Sequence, residues 1–155
     1  HLWSMGANVL IYDYRGYGRT RGTPSEAGIY QDARAALAYV RGLGGRIDQA
    51  RVIHYGYSLG GGPATELAST EPGCRGLVLE SPFASVATLV EEASLVVPGA
   101  FVTNNRFDNR AKVRTAAQRC TNGVLHFHGM ADRSTASCFC ALAITLAIRK
   151  IERSL

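Results

Sequence analysis

The sequence predicts an α/β fold in which a mostly parallel sheet carries helices on both faces. Two observations predict it. Short apolar runs alternate along the chain with segments of helical periodicity, and each run is apolar almost throughout rather than at every second residue. Such runs are typical of parallel strands, which are buried on both faces and joined by right-handed crossovers. With 155 residues, the chain is expected to form a single domain, 1–155.

Four runs are predicted as strands because they are rich in β-branched, aliphatic and aromatic residues. They cover residues 8–12, 51–55, 76–80 and 123–128. We expect all four to be parallel. The interval from 80 to 123 is too short for a large lid domain, so we expect an open site at the carboxyl ends of the strands, where α/β sheets bind ligands.

Four helices are predicted between and after these strands. The first begins at the capping box Thr23-Pro24-Ser25-Glu26, with Pro24 at the first helical position, and runs to about residue 41. The others are predicted over about residues 60–70, 84–96 and 135–153.

Composition excludes several classes of protein. Apolar residues make up 46% of the chain and charged residues 19%, which excludes a disordered tail and a coiled coil. The longest uncharged apolar run, 139–148, is half of what a membrane-spanning helix needs. The net charge of +5 comes mainly from scattered arginines, so we expect no nucleic-acid groove.

The first residues and the cysteines give information on where the protein is located in the cell. The amino-terminal residues do not resemble a signal peptide, and a chain that opens on His1 is expected to begin partway into a longer protein. Four cysteines lack the density of a secreted disulfide scaffold, so a reducing, cytoplasmic location is expected. Whether the parent protein carries an amino-terminal membrane anchor stays open.

A G-x-S-x-G motif supplies the main chemical signal. Gly56-Tyr57-Ser58-Leu59-Gly60 lies directly after the second predicted strand and before the second predicted helix. This context predicts a nucleophile elbow, a sharp turn that lifts the Ser58 hydroxyl above the sheet. The N–H group of Leu59, at the positive end of the new helix, would then face a developing oxyanion. The alternative is a glycine-rich turn that serves packing alone.

Four motifs in the expected order resemble the alpha/beta hydrolase superfamily. They are Asp13-Tyr-Arg-Gly-Tyr-Gly-Arg-Thr20, the elbow, Leu79-Glu-Ser-Pro-Phe83 and Phe127-His-Gly-Met-Ala-Asp132, with Phe107-Asp-Asn109 in between. The chain is most similar to the small, lid-poor serine hydrolases, which include esterases, lysophospholipase-like enzymes and depalmitoylases. The resemblance covers about residues 2–132, so the chain would be the central part of such a domain. Thr20 stands where the family usually has serine.

The resemblance implies catalytic roles for Ser58 as the nucleophile and Asp132 as the acid of a Ser–acid–His triad. Asp132 could instead cap the following helix. The base should follow the acid, yet none of the 23 residues after Asp132 is histidine. His54 is expected to pack in the core, and none of the four histidines matches the base. Because loss of the base costs several orders of magnitude in rate, we expect this chain alone to be inactive.

Both ends depart from the family pattern. The resemblance implies a second oxyanion donor in the loop after a strand that should precede Leu2. That strand should lie between the strands at 8–12 and 51–55, so the sheet would have a gap or those two strands would pair directly. After Asp132 the resemblance fades abruptly, which indicates a truncated or mistranslated carboxyl terminus or a divergent helix.

The resemblance implies hydrolysis of carboxylic esters or thioesters of small molecules or lipids, without a metal or organic cofactor. Cys138 and Cys140 could form a metal site with His126 and His128, but their spacing does not favour one. A prolyl-oligopeptidase-like peptidase is the first alternative, and a catalytically incomplete relative with a binding role is the second. Peripheral membrane contact and the oligomeric state stay open.

Overall fold

A computed structural model describes residue 4, residues 6–88 and 104–127, and the backbone of one further strand, 142–148. The described strands and α-helices are, in chain order, β1 (Ala7–Tyr12), α1 (Glu26–Gly42), β2 (Val52–Tyr57), α2 (Gly61–Thr70), β3 (Cys74–Glu80), α3 (Asn109–Arg119), β4 (Val124–Phe127) and β5 (Leu142–Ile148). The predicted strands agree with β1 to β4 within about two residues. The helix predicted over 84–96 is described only at 84–88, of which 86–88 are helical.

The sheet has the strand order β1-β5-β2-β3-β4. β2, β3 and β4 are parallel, as expected, but β5 is antiparallel to both of its neighbours, β1 and β2. The helix predicted over 135–153 is therefore wrong at its centre. Residues 142–148 read Leu-Ala-Ile-Thr-Leu-Ala-Ile, and periodicity alone does not separate a short apolar strand from a buried helix.

β5 also corrects the expectation for the centre of the sheet. Neither a gap nor a direct pairing of β1 with β2 occurs, because β5 lies between them. Val9 pairs with Leu146, and Tyr55 pairs with Ile144. The inserted strand forms hydrogen bonds with the backbone N–H and C=O groups along the facing edges of β1 and β2. Without it, these groups would need other partners.

The amino terminus of α1 differs from the predicted capping box by two residues. The cap is Ser25, which has an extended backbone and accepts a 3.1 Å hydrogen bond from the Gly28 N–H group. The Glu26 carboxylate does not close the box. It accepts hydrogen bonds from the Arg106 N–H group and the Tyr30 hydroxyl, both at 2.7 Å. A long-range contact has thus replaced the local capping interaction.

The three described helices form one layer on one face of the sheet. Glu66, at the middle of α2 and only 8% exposed, forms ion pairs with Arg34 of α1 at 2.6 Å and with Lys112 of α3 at 2.8 Å. Lys112 also lies over the ring of Tyr30 on α1. The expectation of helices on both faces stays a prediction, because the described helices occupy only this face.

A disulfide joins the beginning of β3 to the end of α3. It links Cys74 and Cys120, which are 3% and 4% exposed, in the apolar cluster formed by α2, β3 and α3. No local pattern predicts this pair, because 46 residues separate its members. None of the described helices combines the length and the hydrophobicity that a membrane-spanning helix needs.

Candidate active site

Ser58 lies on a sharp turn between β2 and α2. Its backbone has a φ of +50°, in the left-handed region that residues with a Cβ seldom adopt. Residues Ser58–Gly60 form one 3-10 turn that leads directly into α2. A serine held in this conformation between a parallel strand and a helix has the backbone geometry of a nucleophile elbow. The Ser58 side chain is half-buried rather than enclosed.

Glycine at position 56 is required by the close approach of the turn to the strand. A Cβ on Gly56 would lie 2.4 Å from the carbonyl oxygen of Gly60, which is backbone and cannot rotate away. The helix after the turn is equally close to its neighbours, because a Cβ on Gly62 would lie 2.6 Å from the ring of Phe107. The sharp turn therefore depends on the absence of a side chain at position 56, and the packing of α2 against Phe107 depends on its absence at position 62.

Leu59 is the second residue of the turn and belongs to the open amino end of the helix. The first N–H groups of a helix have no acceptor within the helix, and the helix dipole makes that end positive. The Leu59 side chain packs against a cluster that includes Tyr14, Tyr30 and Phe107. Burial raises the pKa of the Tyr14 hydroxyl, so this cluster stays uncharged. An apolar anchor thus fixes the residue whose N–H group would face an oxyanion.

The motif around Arg15 has a structural role in the fold. The Arg15 guanidinium and backbone N–H group donate four hydrogen bonds to Asp32 of α1, at 2.7 to 3.1 Å. Burial alone would raise the pKa of Asp32, but the hydrogen bonds from Arg15 outweigh it and hold that pKa below its ordinary value. These contacts fasten the loop that follows β1 onto α1.

The end of β3 is fastened at the same edge of the sheet as Ser58. The Glu80 carboxylate accepts a hydrogen bond from the Tyr55 hydroxyl of β2. The next residue, Ser81, has a φ of +46°, and its N–H group donates to the Phe127 carbonyl of β4 at 2.9 Å. The carboxyl ends of the three parallel strands are thereby joined side by side.

The two described histidines do not reach Ser58. His54 precedes Ser58 by four residues, which is about 13 Å along an extended strand. His126 pairs with Leu79, which pairs with Gly56, so about 10 Å of sheet separates His126 from the strand that bears the elbow. Neither can accept a proton from Ser58 directly. His54 is 2% exposed, which confirms the expected position in the core.

Asp132, His128, Cys138 and Cys140 lie outside the described residues, so their predicted roles stay predictions. The strands that flank the segment 128–141 are described. Phe127 ends β4 at the carboxyl edge of the parallel strands, and Leu142 begins β5 in register with Tyr57 at that same edge. The last described residue before Asp132 and the first described residue after it thus both lie at the edge that carries Ser58. In the described part of the chain, no group of three or more potential ligands could hold a metal ion.

Sequence reasoning missed two polar features of the described residues. His54 and Gln49 line one cavity, and each has a buried side-chain atom without a hydrogen-bond partner. Glu66 joins all three described helices. Neither feature has a sequence signal, because the partners come from separate elements.

Comparisons with known proteins identify the family. Residues 1–125 match the family model Hydrolase_4, described as serine aminopeptidase, S33. The chain is 46% identical over 86 residues to the uncharacterized protein Rv2307c of Mycobacterium tuberculosis, a match that covers 56% of this chain and 30% of that protein. It is 31% identical over 143 residues to the uncharacterized protein YfhR of Salmonella typhi, covering 84% of this chain and 47% of that protein.

A third relative is a multifunctional-autoprocessing repeats-in-toxin protein of Vibrio vulnificus. It is 35% identical over 106 residues, which are 66% of this chain and 2% of that protein. The matches span less than half the length of each of these relatives. No solved structure matches the chain significantly. The family match covers most of the chain, and the fold agrees with it, so the chain belongs to the S33 serine aminopeptidase family, a family of alpha/beta hydrolases.

Proposed function

We propose that this chain is the nucleophile-bearing part of a serine hydrolase that cleaves carboxylic esters or thioesters through an acyl-enzyme on Ser58. The observation that carries the proposal is the left-handed backbone of Ser58 on the turn between β2 and α2. Strain of this kind persists where the surrounding structure enforces it, and such residues cluster at active sites. The parent protein is the hydrolase, and the chain alone lacks the base.

The proposed reaction begins when the Ser58 oxygen attacks the acyl carbonyl while a base removes the hydroxyl proton. The carbonyl oxygen becomes an oxyanion, which the Leu59 N–H group stabilises at the positive end of α2. Collapse of the intermediate breaks the bond to the leaving alcohol or thiol, which takes the proton from the base. Water then attacks the acyl-serine ester by the same route and releases the acid.

Asp132 is proposed as the acid that would orient this base. Support comes from the described strands on either side of it, since both Phe127 and Leu142 lie at the edge of the sheet that carries Ser58. The base itself would come from a residue that this sequence does not contain, because no histidine follows Asp132. An external base should therefore partly replace it.

The test is acylation of the chain by p-nitrophenyl acetate, with and without imidazole as a soluble base. We expect mass spectrometry to find an acetyl group on Ser58 and imidazole to accelerate its formation. Ser58→Ala should abolish that adduct. Ser81→Ala is the matched control, because Ser81 also has a positive φ at the carboxyl edge and should leave the adduct intact. Absence of an acetyl group on Ser58, both with and without imidazole, would refute the nucleophile and favour a relative with a binding role.

A peptidase is the second candidate, because the matching family model is described as a serine aminopeptidase. The peptidase and the esterase can be distinguished with one acyl group that is attached to three leaving groups, as an anilide, an ester and a thioester. Imidazole-dependent acylation by an amino-acid p-nitroanilide, at a rate comparable to the matching ester and thioester, would favour the peptidase. Reaction with the ester and thioester alone would favour the first candidate.

The proposed substrates are acyl esters of small molecules or lipids, with membrane contact limited to the periphery.

The proposal also keeps the cytoplasmic location expected from the sequence. Disulfides are uncommon in that compartment, so the Cys74–Cys120 pair provides a direct test. Recovery of the disulfide from cells lysed in an alkylating agent would contradict a cytoplasmic location, and alkylation of both thiols would support it.

A further inference from the structure

A cavity lies at the opposite end of β2 from Ser58. It has a volume of about 340 Å³ and lies among the carboxyl half of α1, the beginning of β2 and the turn that precedes β3. Its walls are apolar where Leu37, Val52 and Pro72 line it, and polar where Gln49 and His54 line it. A cavity of this kind, mostly apolar with a few converging polar groups, is typical of small-molecule sites.

Two buried polar atoms on this cavity have no hydrogen-bond partner in the described part of the chain. They are Nδ1 of His54 and Oε1 of Gln49. The Gln49 amide is held in place by its other end, because Nε2 donates to the carbonyl oxygen of Val40 at 3.1 Å. Its oxygen therefore cannot exchange places with Nε2 without losing that bond. Buried polar groups are almost always paired, so two orphans on one cavity indicate a missing partner.

The charges around the cavity cancel. The Arg41 guanidinium lies at the rim, where it donates to the Glu71 carboxylate at 3.1 Å and to the Pro72 carbonyl at 2.9 Å. Burial lowers the pKa of His54 to about 4, with Arg41 lowering it further and Glu71 opposing, so the imidazole is neutral at pH 7. A charged ligand would lose its hydration without gaining a free counter-ion from these groups.

We propose that this cavity binds a small neutral molecule, an amide or alcohol with a short alkyl group, that donates a hydrogen bond to Oε1 of Gln49. A second polar atom of the ligand would pair with Nδ1 of His54. The alkyl group would lie against Leu37 and Val52. The site is separate from the proposed active site, since about 13 Å of strand lies between His54 and Ser58.

The test uses isobutyramide as the probe and the histidine imidazoles as reporters. Nitrogen-15 labelling of histidine allows each imidazole to be followed by NMR during a titration. We expect a saturable shift at His54 alone, with His126 on β4 as the internal control for unspecific binding. Isobutyrate and isobutyramidinium have nearly the same shape but carry a negative and a positive charge, and each should bind at least about tenfold more weakly.

One variant tests the polar contact of Gln49, and a second variant serves as its control. Gln49→Met keeps the length of the side chain but removes the acceptor, and should weaken binding about tenfold. Tyr39→Ala, on the exposed side of α1, should leave binding unchanged. Circular dichroism shows whether each variant is folded, and the comparison of the three probes on the original chain needs no variant. No saturable shift at His54, or equal binding of all three probes, would overturn the proposal and indicate a cavity that holds only water.

Discussion

Acid should destabilise the fold through His54 in a way that a single substitution can isolate. Burial lowers the pKa of His54 from 6.5 to about 4. In the unfolded chain the imidazole takes up a proton below pH 6.5, whereas in the folded chain it does so only below about pH 4. The unfolded state thus binds more protons between these values, so the free energy of unfolding falls as the pH falls through this range. The charged groups that act on His54 are Arg41 of α1 and Glu71 after α2.

The size of the effect follows from the two pKa values. The full difference is about 3 kcal/mol, and about 2 kcal/mol of it should be lost between pH 7 and pH 5. Urea unfolding of the original chain and of His54→Leu at these two pH values measures this loss of stability.

Asp32 also loses its stabilising charge in acid, but it does so in both proteins, so its contribution cancels in the difference. The stability of the original chain relative to His54→Leu should therefore fall by about 2 kcal/mol. Parallel pH profiles would refute the reasoning, because they would mean that the folded chain protonates His54 as readily as the unfolded chain does.

Three further perturbations test how the fold around the site is supported. Glu66→Ala should lower the free energy of unfolding by about 2 kcal/mol in urea titrations, because it removes the two ion pairs that join the helices and leaves Arg34 with Glu71 and Lys112 with Glu26; no change would mean that these remaining partners and solvent replace both ion pairs. Gly56→Ala should cost about 3 kcal/mol or more and abolish acylation, whereas Gly76→Ala, whose new Cβ would meet nothing closer than 4.0 Å, should cost below about 1 kcal/mol; equal costs would contradict the close approach at the elbow. Reduction of the Cys74–Cys120 disulfide should lower the free energy of unfolding by about 4 kcal/mol, as expected for a link across 46 residues, and an unchanged urea midpoint in dithiothreitol would contradict that value.

The features that sequence reasoning found are those that neighbouring residues determine. The turn at Ser58 needs glycine at position 56, a strand before it and a helix after it. Residues close to Ser58 in the sequence determine all three. The same holds for the end of α2 and for the burial of His54 in an apolar run. The direction of β5 could not be found in this way, since it depends on the edges that β1 and β2 present. Ser25 replaced Thr23 as the cap for a similar reason, because Glu26 is engaged by Tyr30 and by Arg106, which lies 80 residues away.

The direction of β5 also bears on the proposed chemistry. The family resemblance implies that the second oxyanion donor follows a parallel strand between β1 and β2, at the edge that carries Ser58. β5 occupies that position but runs the other way, so its beginning, Leu142, lies beside Tyr57 at that edge, and its end lies at the opposite edge. A loop that follows β5 therefore cannot supply the donor, and among the described residues our proposal leaves stabilisation of the oxyanion to Leu59. Loss of one oxyanion donor lowers rates by about 10²–10³, so imidazole should restore acylation of Ser58 only to a level reduced by about that factor relative to a serine hydrolase with both donors. Rescue to the full rate would show that another group at this edge completes the oxyanion hole.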